Sequence, residues 1–211
     1  LTLVVLAIAR EKVPLPEELE AREETGKENG ERKLPRVFWF YTAFTLVSVA
    51  GFANFQLISY HLKVQAVVPD AQIPIIYAIA MGIDALAALL IGKTYDKTGL
   101  MSLLTVPLLT LPIPFLAFSH SYSLVLIGMV LWGAAMGVQE TIMRAAIADL
   151  TPVERRGFAY GIFNVAYGAS WFLGSALMGL LYELSINYLI VFAVVMELIS
   201  IPLLFVVRRA A

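Results

Sequence analysis

Residues 92–99 read Gly92-Lys93-Thr94-Tyr95-Asp96-Lys97-Thr98-Gly99, three charges held between two long oily runs. Gly-Lys-Thr is the tail of a phosphate-binding loop. Such a loop needs another glycine five positions before the second one, where backbone N–H groups crowd the phosphates. Ala87 stands there instead. The residues from Ile75 to Ile91 (IIYAIAMGIDALAALLI) are nearly all apolar and make about 25 Å of helix. The nucleotide reading fails, and the charges need another explanation.

Composition supplies the frame. The 211 residues are 60% hydrophobic and 15% charged, with a mean hydropathy of +0.81. A water-soluble domain of this size has too little interior to hide so much apolar surface. Net charge is −1, which argues against nucleic acid as a partner. Cysteine is absent, so there is neither a disulfide framework nor a thiolate metal site. The lipid bilayer is the expected surrounding.

Six apolar runs bounded by turns or charges follow one another: Val37–Ser59, Ile73–Gly92, Met101–Phe118, Tyr122–Met143, Phe158–Leu181 and Tyr188–Val207. Each makes roughly 27–36 Å of helix, enough to cross a bilayer with some tilt. The third run carries Pro107, Pro112 and Pro114, which remove ladder hydrogen bonds and predict a kinked span. Ahead of these, Leu1–Ala9 (LTLVVLAIA) is apolar but amounts to only about 14 Å of helix. It lacks the basic start and cleavage site of a signal peptide and reads as the last part of a longer span. Residues 10–36 hold seven basic and eight acidic residues and read as a solvated linker between membrane bundles.

Lys and Arg fall on one side. If the linker is cytoplasmic, so are Lys93, Lys97, Arg144, Arg155, Arg156, Arg208 and Arg209, and of the fifteen basic residues only Lys63 lies opposite. The positive-inside rule then puts both ends of the unit of residues 37–211 in the cytoplasm. The expected location is the cell membrane, plasma or inner, with a multi-pass chain.

The stretch from Gly92 now reads as a short cytoplasmic turn. It resembles the G-x-x-x-D-[RK]-x-G-[RK] signature of the major facilitator superfamily at Gly92, Asp96, Lys97 and Gly99, departing from it at Leu100. A second likeness is the Pro-x-x-x-Arg-Gly turn at Pro152, Arg156 and Gly157. The resemblance implies an all-α six-helix bundle of 3+3 inverted repeats. That bundle would be helices 7 to 12 of a twelve-helix carrier, preceded by the end of helix 6, and its partner would be a missing N-terminal six-helix half. A faint internal echo agrees: Gly92-x-x-Tyr95-Asp96 closes the second run and Gly179-x-x-Tyr182-Glu183 the fifth.

The resemblance further implies that the turn at Gly92–Gly99, with Arg156 and Gly157, packs against neighbouring helix ends and closes the inward mouth in one conformation. The plainer alternative makes Lys93 and Lys97 topology anchors and Asp96 a helix cap.

Charges within the runs are costly and ask for a reason. Asp84 lies about 17 Å into its run, near the membrane midplane. It is a candidate to bind solute or a coupling proton, with a buried structural hydrogen bond as the alternative. Glu140 and Arg144, four residues apart, share a helix face and are expected to form an ion pair that is structural or gating. Glu197, near the middle of the last run, leaves a packing contact, an oligomer contact and a proton site all open. Tyr160, Asn164, Tyr167 and Trp171 fall on one helical stripe. Such stripes are usually packing, but the amide and hydroxyls suggest a wet, solute-facing surface with Asn164, Tyr167 and Trp171 as candidates. Asn54 and Gln56 add polar atoms in the first run, either for the cavity or for a neighbouring helix. Gly133-x-x-x-Gly137 and Gly157-x-x-x-Gly161 favour close helix contact.

No enzyme apparatus is visible. His61 and His120 both fall at the outer ends of runs, and there is no Gly-x-Ser-x-Gly or His-Glu-x-x-His. No metal or cofactor is expected. The function this points to is a secondary active transporter moving a small organic solute by alternating access, coupled to an ion gradient, with protons a candidate ion. A channel or a purely structural six-helix membrane protein is the alternative, and a channel would ordinarily show a filter or charged ring.

Overall fold

A computed structural model describes residues 34–210. The short apolar run Leu1–Ala9 and the linker up to residue 33 lie outside the described residues. Arg36, read as the linker's last residue, already opens the first helix.

The described chain is all helix: α1 (Arg36–Gly51), α2 (Phe55–Val64), α3 (Ile73–Thr98), α4 (Thr105–Thr110), α5 (Ile113–Ala117), α6 (Tyr122–Leu150), α7 (Arg156–Leu184) and α8 (Ile186–Ala210). Short 3₁₀ turns at Asp70–Gln72, Gly99–Leu104 and Val153–Arg155 join them. Among the described residues five helical stretches are long and apolar enough to cross a membrane: Arg36–Val64, Asp70–Ala117, Tyr122–Leu150, Val153–Leu184 and Ile186–Ala210. The second, 48 residues long, would reach about 72 Å if straight. It folds back instead. Gly99 has φ 57°, a left-handed value that glycine adopts without strain, and beyond it Thr105, Leu108 and Leu109 lie along one groove with Ala87, Leu90 and Thr94. The stretch is therefore two antiparallel limbs. They correspond to the second and third apolar runs.

Several of the expected bounds move, and two of the runs are interrupted. α3 does not stop at Gly92 but continues through Thr98, so the charges of the opening stretch ride on its last two turns and the turn itself is Gly99. Lys, Thr, Tyr and Asp interrupt hydropathy without breaking helix. The first run is not one helix: residues 52–54 are non-helical between α1 and α2. Asn54 caps α2 there, its side-chain oxygen accepting from the Leu57 N–H at 2.8 Å, the local bond that competes with helix continuation. The third run is broken as its prolines require, with Pro112 preceding α5 and Pro114 in its first turn.

Two apolar clusters stack along the helices. One gathers Phe38, Tyr41, Phe44, Tyr95, Ile142, Met143, Ile147 and Phe163 toward the end that holds Gly99. The other gathers Phe52, Ile58, Leu62, Ile76, Trp132, Met178 and Leu189 toward the end that holds Lys63. Tyr41 ties the first together, stacked on Phe163 at 5.9 Å and donating its hydroxyl to the Met143 carbonyl at 2.6 Å. In chain position Asp84, Thr110, Ser170 and Glu197 fall between the two clusters, and Ser48 and Gln139 sit at the inner edge of the first, so the long helices carry these polar side chains near mid-depth.

Packing follows small residues. α3 and α6 run parallel, with Gly133 seated on the Ala80 carbonyl and Gly137 on that of Asp84; a side chain at either would push the backbones apart. The expectation for that glycine pair holds. For Gly157 and Gly161 it does not, since a Cβ at either meets nothing within 4 Å. That face of α7 has no neighbour among the described residues.

Candidate functional site

The candidate residues divide into a mid-depth group and a group at the Gly99 end. In the first, Asp84 is half-buried on α3, pressed by Gly137 of α6. Its Oδ1 is buried and has no hydrogen-bond partner. Tyr77 lies seven residues earlier on the same helical face and opens an aromatic chain. Its ring lies 4.3 Å from Phe55, which meets Trp132 at 6.0 Å; Trp132 stacks on Phe52 at 5.8 Å, and Phe52 meets Trp171 at 5.9 Å. Trp171 in turn stacks on Tyr167 at 5.9 Å. The chain runs from α3 past the break after α1 to α7. The Trp132 indole N–H donates to the Ala53 carbonyl at 2.8 Å, satisfying a group that the break leaves outside the helix ladder.

The structure therefore brings Tyr167 and Trp171 together with Phe52, Phe55, Tyr77 and Trp132, none of which the sequence singled out. Their signal, aromatic type, is common to many core positions, and only the fold unites them. Asn164, on the same stripe, is exposed, and Tyr160 gives its hydroxyl to the Arg144 carbonyl at 3.0 Å. Gln56 is exposed, and the Asn54 oxygen is engaged as a cap.

At the Gly99 end, Asp96 and Lys97 are exposed and Gly92 makes only ordinary contact with Thr141. Asp96 sits within α3, so it is not a cap. The member of the motif that reaches another helix is Tyr95, whose buried side chain donates to Asp149 Oδ2 at 2.7 Å. Arg156 Nη2 donates to the Ala148 carbonyl at 2.9 Å. The two turn motifs meet through these bonds at the end of α6, beside a cavity of about 550 Å³ lined by Pro35, Asp149, Thr151 and Arg156. The expected Glu140–Arg144 ion pair is not formed; both side chains are exposed, where water competes for each charge and an ion pair gains little.

The opposite end has its own cross-links. The Tyr182 hydroxyl and His61 Nδ1 share a hydrogen bond at 3.0 Å, and the His120 ring lies 6.0 Å from that of His61. Lys63 and Asp70 pair at 3.6 Å on the surface. Among the described residues no group of three or more His, Cys, Asp or Glu is placed to hold a metal ion.

A helical chain with several apolar stretches long enough to cross a bilayer, polar atoms at mid-depth and motif turns bonded at one end defines a polytopic membrane protein. Residues 68–211 match the sequence profile of the Major Facilitator Superfamily, and the chain belongs to that family, whose members are transporters rather than enzymes. An uncharacterised protein of Mycobacterium tuberculosis is 40% identical over 175 residues, 83% of this chain and 43% of that protein. An uncharacterised MFS-type transporter of Methanocaldococcus jannaschii is 28% identical over 95% of this chain and 51% of its own length. The class H tetracycline resistance protein of Pasteurella multocida is 27% identical over 62% of this chain and 34% of its own length. The chain thus spans about half the length of these relatives or less. No solved structure matches it.

Proposed function

We propose that this chain is the C-terminal half, helices 7 to 12, of a secondary active transporter that moves a small organic solute across the cell membrane by alternating access. In this reading α3 and the limb Gly99–Ala117 are separate crossings, giving six. The Gly99 end and the C-terminus face the cytoplasm, as the one-sided Lys and Arg support. The absent N-terminal half supplies the other wall of the cavity, and an ion gradient, with protons the candidate, drives the cycle.

Several contacts support the 3+3 inverted repeat. Exchanging the triplet α1/α2, α3, α4/α5 with the triplet α6, α7, α8 maps the Tyr95–Asp149 bond, between α3 and α6, onto Tyr182–His61, between α7 and α2. It also maps Gly128 of α6 against Leu116 and Ala117 onto Gly51 of α1 against Met196. The two hydrogen bonds lie at opposite ends of the bundle, as a two-fold axis in the membrane plane demands.

The observation that carries the reading is Asp84, a mid-depth carboxyl with one buried oxygen that no protein group satisfies. Such a group in a membrane is retained for a ligand or an ion. Asp96 and Lys97, exposed here, are the switch residues that would meet the other half when the inward mouth closes.

The test is flux of labelled organic solutes, tetracycline among them, into vesicles holding the full-length protein. Saturable, gradient-driven uptake that falls at least tenfold in Asp84→Asn is expected. Conductance without saturation, or Asp84→Asn behaving as wild type, rejects the assignment.

A further inference from the structure

We propose that Glu197 is a proton-binding site separate from Asp84, its carboxyl group carrying a proton in this conformation and so allowing α1 to close on α8. None of the candidate cavity residues takes part.

Glu197 lies at the middle of α8 and is 1% exposed. The groups facing its carboxyl are three hydroxyls: Ser48 from α1, Thr110 from α4 and Ser200 one turn along α8. Among the described residues no charged or other titratable side chain faces it from α1, from α8 or from the limb Gly99–Ala117. One face of the cage is sealed by Gly51, where a Cβ would stand 2.7 Å from Met196 Cβ and 3.1 Å from the Ala193 carbonyl. The two backbones leave no room for water between them at Gly51.

The proton inventory decides the state. Each hydroxyl has one proton to donate. That of Ser200 has the Glu197 main-chain carbonyl at 2.8 Å, and that of Thr110 has the Val106 carbonyl at 2.9 Å. Both carbonyls are nearer than the carboxyl is to Ser200, whose Oγ lies 3.3 Å from Oε2. Ser48 is left as the donor, straddling both carboxyl oxygens at 3.3 and 3.2 Å. A hydroxyl bound to an ionised carboxylate draws in to about 2.5–2.7 Å. An anion here would hold about four acceptor sites against one long donor and no counter-charge. With a proton on the carboxyl, its own O–H donates to Ser48 or Ser200 Oγ, the Ser48 proton goes to the free carboxyl oxygen, and no charge is buried. Ser48 stands one turn before the α1 break, and Gly51 is the last residue of α1. Loss of the proton would put an unpaired anion into the seam at that break.

Infrared spectroscopy of the full-length protein in lipid vesicles at neutral pH tests this without any transport readout, so it can fail while the carrier assignment stands, or succeed if that assignment falls. The wild-type-minus-Glu197→Gln spectrum is expected to show loss of one protonated-carboxyl carbonyl band. Ser48→Ala and Ser200→Ala are expected to shift that band without removing it. Loss of carboxylate bands alone in Glu197→Gln overturns the proposal. Should Glu197→Gln fail to accumulate, a protonated-carboxyl region unmoved by both serine variants overturns it equally.

Discussion

Tyr95 donates its hydroxyl to Asp149 across 2.7 Å, joining the last turns of α3 and α6. Tyr95 lies one residue before the acid that the family signature marks, and it makes the contact between the two turn motifs in this conformation. Tyr95→Phe and Asp149→Ala should each destabilise the 211-residue chain in detergent by about 1 kcal/mol, and the double variant by little more than either alone. Additive losses in thermal unfolding would mean that the bond contributes nothing.

Gly137 and Gly161 occupy helices of similar make-up yet should respond oppositely. Gly137→Ala drives a methyl group into the Asp84 carbonyl and should cost about 1–3 kcal/mol. Gly161→Ala meets open space and should be neutral or stabilising by up to about 1 kcal/mol, from helix propensity. Thermal melts of the two variants side by side decide it; equal losses would contradict the described packing of α3 on α6.

Asp96 is exposed at the end of α3. Asp96→Asn should leave the melting temperature of the chain unchanged, while solute flux by the full-length protein falls about tenfold or more. Wild-type flux in that variant would remove Asp96 from the switch and leave Tyr95 as the functional member of the stretch.

Trp132 bridges the break between α1 and α2 with its indole N–H. Trp132→Phe keeps most of the aromatic packing but leaves the Ala53 carbonyl without its donor, at a cost of about 1–3 kcal/mol. Hydrogen exchange around residues 52–58 should quicken in step with that loss. Unchanged exchange would mean that the break is held by Asn54 alone.

Hydropathy and charge made the crossings, the broken third run and the family resemblance legible, because each is a property of contiguous residues. A run of twenty apolar side chains is costly to hydrate wherever it occurs. The helix over Lys93–Thr98 leaves no such mark: polarity rises at a membrane boundary whether or not the backbone stays helical. Asn54 shows a similar ambiguity, since the same amide reads as a cavity ligand or a cap until the neighbouring backbone is known.

Sequence alone could establish that Asp84 and Glu197 are carboxyl groups in oily helices. It could not say that the first has a buried oxygen without a partner while the second is ringed by Ser48, Thr110 and Ser200. Those relationships join residues up to 149 positions apart, and they depend on how closely two helices approach. Gly51, Gly133 and Gly137 permit that approach at particular depths. Local free energies along the chain chose the helices; the contacts between them, which no local energy contains, assigned the polar side chains their partners.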